Sequence, residues 1–183
     1  MTFRLRQATA RSRKPASAAG AIIAVISFGF TLLPSPGLAA PRSAEGNKAV
    51  ARTAFELLNK RDFKRFEAIH TKAFVKHYNN RPPENLSQEM DDAKGQFESS
   101  SGLVFSIDWL LSEGDRVAVC FTAKGTHDGP FQGIPATGKK YQLTAITVWR
   151  IVDGKLAEEW VFSNDMDLYN QLGLLNDVGG SGH

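Results

Sequence analysis

A single cysteine, Cys120, leaves this 183-residue chain no intramolecular disulfide with which to brace itself. Other absences narrow the function classes further. No glycine-rich phosphate loop, no Gly-x-Ser-x-Gly elbow and no internal repeat is present. His70, His77 and His127 stand far apart and His183 is the last residue, so no metal-ligand spacing emerges. No acidic residue occurs in the first 39 positions, which hold Arg4, Arg6, Arg11, Arg13 and Lys14. The formal charge of +3 therefore misleads: removing those five from 22 basic side chains leaves 17 against 19 acidic ones, a net of −2. Such a mildly acidic remainder offers no electrostatic footprint for nucleic acid.

The N-terminal stretch has the layout of an export signal. A basic segment precedes the apolar run at residues 21–33, then come Pro34, Pro36 and small residues at Gly37 and Ala39. That run is shorter than the roughly 20 residues a membrane span needs and fits a signal-peptide core. The expectation is cleavage before Ala40, no membrane anchor afterwards, and a periplasmic or secreted protein. The organisation expected is signal peptide 1–39, linker 40–46, one α+β domain 47–175 and a flexible tail 176–183.

Within the domain, Asn47 predicts the N-cap of an amphipathic helix that turns Val50, Ala54, Leu57 and Leu58 inward. A further helical turn carries Phe63, Phe66 and Ile69. A second long helix is expected over 84–99, with Leu86, Met90, Ala93 and Phe97 on one stripe. Residues 103–111 and 116–124 alternate as strands, and the phase of the second extends to His127. Cys120 lies inside that strand and reads as a packing residue.

The Asp153-Gly154 pair between two alternating runs is a strong hairpin signal, because both central residues of a type I′ turn need φ > 0. Regular antiparallel pairing from that turn sets Trp149 opposite Glu158 and Thr147 opposite Trp160. One face then carries Tyr141, Leu143, Ala145, Thr147, Trp149, Trp160 and Phe162, ending at Asn164. An aromatic wall with a polar rim suits a small-molecule pocket or an ordinary core face. On the other face, Ile146, Val148 and Val161 beside Thr144 and Ser163 form an apolar strip that predicts a homodimer.

The stretches GTHDGPFQGIPATGKK, VWRIVDGKLAEEW and Gln171-Leu172-Gly173, with the upstream helix and Phe74-Val-Lys-His-Tyr-Asn-Asn80, resemble the SnoaL-like polyketide cyclase family. The resemblance covers roughly residues 47–174. It implies a cone-shaped domain of the nuclear transport factor 2-like superfamily: a curved, mostly antiparallel sheet with N-terminal helices on its concave face. It also implies a small apolar, carbonyl-containing ligand and acid–base chemistry without metal or cofactor. The resemblance assigns His77 to the pocket. It puts the family acid at Asn164, which cannot take a proton at neutral pH. Asp165 reaches the cavity only if the chain leaves strand geometry after Asn164. The candidate proton carriers are thus His77, His127 and Asp165, and the candidate ligand contacts are Tyr141, Trp160, Phe162 and Asn164. A cyclase, isomerase or lyase and a non-catalytic binding domain both remain open.

Overall fold

In the computed structural model, which describes residues 43–175, Asp153 and Gly154 both take positive φ, 50° and 76°. They join strand β5 (Lys139–Val152) to β6 (Lys155–Ser163). Val152 pairs with Lys155 and Ile151 with Leu156, as regular pairing requires. The next pair is Arg150 with Glu158, so Ala157 is one residue too many for the ladder. This bulge reverses every later side chain on β6, because strand faces alternate with period two. Trp149 therefore faces Glu159, Thr147 faces Val161, and Ala145 faces Ser163. Trp160 and Phe162 turn to the opposite side.

A second bulge acts in the same way on β3 (Ser100–Glu113), which pairs with β4 (Arg116–His127). Ile107 pairs with Phe121 but Trp109 with Cys120, leaving Asp108 as the extra residue. Leu110 consequently turns inward while Trp109 and Leu111 turn out, 46% and 65% exposed. Strand β1 (His70–Tyr78) lies parallel to β6, and the two-residue β2 (Glu84–Asn85) closes that edge. The six strands run in the order β2-β1-β6-β5-β4-β3 as one mixed, mostly antiparallel curved sheet.

Three helices cover one face. Helix α1 (Ala44–Asn59) starts inside the stretch expected as linker, because Ser43 and not Asn47 is its N-cap. Asn47 is instead buried and donates from Nδ2 to the Gly114 carbonyl in the β3–β4 turn at 3.0 Å. Helix α2 (Phe63–Ala68) is a short turn capped by Asp62. Helix α3 (Leu86–Ser99) begins two residues later than expected because Asn85 and Gln88 form a capping box. Ala54 and Phe55 of α1, Phe66 of α2 and Met90 of α3 pack on Val117, Val119, Trp149 and Leu156 of the sheet. Each large side chain so buried contributes about 1.5–3 kcal/mol. The last helix, α4 (Asp165–Leu172), follows β6 directly, with Asn164 as N-cap. The expected signal peptide and tail lie outside the described residues.

Candidate functional site

Between the helices and the concave sheet lies a cavity of about 190 Å³. Its walls are mostly apolar, with Phe55, Phe105, Phe121, Leu143 and Trp149 among them. Tyr141 and His127 also line it, both from the strand phase read in the sequence. Tyr141 donates its hydroxyl to Ser100 Oγ at 3.0 Å, and burial pushes its pKa up. His127 is buried, with Nδ1 3.2 Å from Thr137 Oγ1.

At one end of the cavity the side chains of Asp165, Tyr78, Ser163 and Asn79 converge. The Tyr78 hydroxyl donates to Asp165 Oδ1 at 2.7 Å and the Ser163 hydroxyl donates to the same oxygen at 2.5 Å. The two hydroxyls also lie 2.6 Å from each other. Asn79, held at φ 46°, donates from Nδ2 to Asp165 Oδ2 at 3.1 Å and accepts the Ser163 N–H at 3.2 Å. Arg81 stands at the rim, 4.6 Å over the Tyr78 ring and 3.8 Å from Asp165 Oδ2. Burial is the main cause that pushes the Tyr78 pKa up to about 12, so the phenol stays neutral and a donor.

An ionic cluster surrounds Lys76, which also lines the cavity. Its ammonium lies 2.6 Å from Glu89, 3.3 Å from Glu84 and 3.4 Å from Asp92. Burial alone would lower the Lys76 pKa, but the carboxylates of Glu89, Glu159 and Glu84 outweigh it and raise it. Glu89 and Glu159 are buried, and that burial raises both their pKa values, Glu89 to about 7. Glu159 accepts the Thr147 hydroxyl at 2.7 Å. Four carboxyls thus lie around one ammonium, and burial opposes the charge of the two most buried of them. Among the described residues, no three histidine, cysteine, aspartate or glutamate side chains stand together as metal ligands.

Several expected positions need correction. Trp160 and Phe162 do not line the cavity, because the Ala157 bulge turns them to the outer face, where Phe162 is 57% exposed. Asn164 points its side chain back to the Asp167 N–H as a helix cap. His77 pairs with Trp160 on β6 and so shares its outward side. Its ring stacks on Trp160 at 5.5 Å, and Nε2 lies 3.1 Å from Glu158, which Arg150 also holds at 3.0 Å. Glu158, expected opposite Trp149, yields that place to Glu159 for the same reason. Val161 and Ser163 likewise leave the outer strip, which Trp109, Trp160 and Phe162 join. The side chains of Lys76, Tyr78, Ser163 and Glu159 were missed as cavity groups. The alternation Phe74, Lys76, Tyr78 along one strand face was the available signal.

Comparison with known proteins accords with this architecture. AclR of Streptomyces galilaeus, described as a candidate hydroxylase, superposes with a TM-score of 0.68 at 25% identity, over 75% of this chain and 87% of its own. A candidate SnoaL-like polyketide cyclase from Jannaschia sp. CCS1 gives 0.68 at 19% identity, over 76% and 100%. IdmH of Streptomyces antibioticus, a candidate polyketide cyclase, gives 0.61 at 22% identity, over 69% and 98%. No curated protein matches the sequence significantly. The family model of the SnoaL-like polyketide cyclases matches residues 48–172. On that match the chain belongs to the SnoaL-like polyketide cyclase family, and its fold is of the nuclear transport factor 2-like kind.

Proposed function

We propose that the cavity binds a compact apolar carbonyl compound and moves a proton at its α-carbon, with Asp165 as the proton carrier. The observation that carries this reading is the ring of three oxygens formed by Asp165 Oδ1, Tyr78 and Ser163. Its three edges are all hydrogen-bond length, 2.5–2.7 Å. Three such edges call for three protons, and the two hydroxyls supply two. An ionised Asp165 leaves one edge empty, and a proton drawn from substrate fills it. The carboxylate takes the α-proton, the C–H electron pair becomes the enolate, and the proton returns to carbon or oxygen. The apolar walls and the fixed donors favour such a transfer by holding the reacting groups in one geometry. Family membership supports small-molecule binding in the same cavity. His127 lines the wall as a secondary polar contact, and Tyr141 as a ligand contact.

The same proposal carries the setting. The basic and apolar N-terminal stretch supports export to the periplasm or beyond. The exposed Trp109, Leu111, Ile146 and Phe162 on the outer sheet face support a homodimer.

The test is exchange of the α-protons of 2-tetralone into D2O, followed by NMR. Exchange above the solvent rate is expected, lost in Asp165→Asn and kept in His77→Ala. Equal exchange in Asp165→Asn and the native protein would overturn the assignment. Binding of 2-tetralone with no exchange at any pH would leave a binding domain without chemistry.

A further inference from the structure

Among the described residues that line the cavity, only Arg81 and Gln132 are exposed. They come from separate loops, one after β1 and one between β4 and β5. The two side chains meet: Arg81 donates from Nη1 to Gln132 Oε1 at 3.1 Å. One exposed hydrogen bond therefore spans the part of the wall that is most open to solvent. Arg81 is fixed on the site side, with its guanidinium 4.6 Å over the Tyr78 ring and its N–H donating to the Tyr78 carbonyl at 3.0 Å. The loop that carries Gln132, residues 128–138, is the other side of the contact.

That loop is held unevenly. At its base the Asp128 and Gly129 N–H groups donate to the Ser99 carbonyl at 3.1 and 2.9 Å. The Thr137 and Gly138 N–H groups donate to the His127 carbonyl at 3.0 and 2.8 Å. A Cβ at Gly129 would stand 2.7 Å from the Glu98 carbonyl oxygen, so the base lies tight against the end of α3. At the tip, Phe131 and Ile134 exchange backbone hydrogen bonds of 3.0 and 2.8 Å with each other, which makes residues 131–134 a self-contained turn. This turn meets α3 where Gly95 leaves room for the Phe131 ring, and it meets Arg81 through Gln132. Gln132 holds φ at 48°, a left-handed position that favours Gly or Asn, so its longer side chain is kept there at a cost. We infer that the 131–134 tip is a door to the cavity, hinged on its clamped base and caught by the Arg81–Gln132 hydrogen bond. The door opens beside Asp165, whose Oδ2 lies 3.8 Å from Arg81. Gln132 then sets how fast a ligand enters and leaves, whatever groups that ligand carries.

The experiment measures access to Trp149, which is 3% exposed and lines the cavity. Acrylamide, a small neutral quencher, is titrated against its fluorescence in a Trp109→Phe, Trp160→Phe background. Adding Gln132→Ala should raise the quenching constant about threefold or more, the effect of losing one hydrogen bond to a charged group. Gln132→Glu should lower it, because a carboxylate holds the Arg81 guanidinium more strongly than an amide does. Stopped-flow binding of 2-tetralone gives a second readout. Association and dissociation rates should both rise in Gln132→Ala and both fall in Gln132→Glu, whereas a residue that only touches the ligand alters dissociation alone. Equal quenching in the three proteins, or a change confined to the dissociation rate, overturns the door. If 2-tetralone does not bind, the carbonyl reading falls, and the quenching series still decides whether the door exists.

Discussion

Replacing Glu89 with Gln should change how stability depends on pH, and the structure sets both sign and size. Burial raises the Glu89 pKa from 4.5 to about 7 in the folded chain. A group with a raised folded pKa stabilises fully below its unfolded value and loses that contribution as pH rises through the folded one. The loss between pH 4.5 and 7 is about 3 kcal/mol at roughly 1.4 kcal/mol per unit. His70 works in the opposite direction. Burial between Phe66 and Phe74 pushes its pKa from 6.5 down to about 4, with Nδ1 2.7 Å from the Phe66 carbonyl. A depressed folded pKa gives stability that is present above pH 6.5 and lost as pH falls towards 4, again about 3 kcal/mol. The two slopes oppose each other across one window, so the native profile there is shallower than either group alone would make it. Gln is chosen because Lys76 keeps Glu84 and Asp92 close by. Urea unfolding between pH 4.5 and 7.5 should show Glu89→Gln gaining on the native protein by about 3 kcal/mol as pH rises. A constant difference across that range would refute the burial argument for Glu89.

Two further outcomes follow from the bulged register. Trp149→Ala should cost about 3–5 kcal/mol, whereas Trp160→Ala, half-buried against His77 on the outer face, should cost about 1–2 kcal/mol. Equal losses in urea would contradict the face assignment. Sedimentation at micromolar concentration should give a dimer for the native domain and a monomer for Phe162→Glu with unchanged circular dichroism; a native monomer would remove the outer face as an interface.

Local signals in the sequence were reliable and cumulative ones were not. The Asp153-Gly154 turn, the Leu86-Met90-Ala93 stripe and the inward phase of Val117, Val119 and Phe121 could all be read directly, because each depends on neighbours a few residues away. Strand phase is carried forward by counting, so one extra residue reverses everything after it. Ala157 displaced Trp160, Phe162 and Glu159 in that way, and Asp108 displaced Trp109 and Leu111. Neither bulge residue is a glycine or proline, and nothing local announced them. Asp165 shows the benefit of the same irregularity. With β6 reversed, Ser163 and then Asp165 at the start of α4 come to the cavity, while Asn164 faces away as a cap. The histidine the resemblance placed inside, His77, sits one residue from Lys76 and Tyr78, which are the ones that enter.

The parallel seam between β1 and β6 also bears on how the candidate site comes to be assembled. Tyr78 and Asp165 are 87 residues apart in the chain, yet their hydrogen bond is part of the site. Lys76 and Glu159 are brought together by that seam too. During folding this contact comes with the closing of the longest loop in the sheet, and loop closure is rewarded only after its entropy has been spent. Helix α1 and the β3–β4–β5 meander can form from nearer neighbours first. The site is then completed last, so recovery of ligand binding should lag behind recovery of secondary structure on refolding. The last strand acts as a latch in time as well as in space.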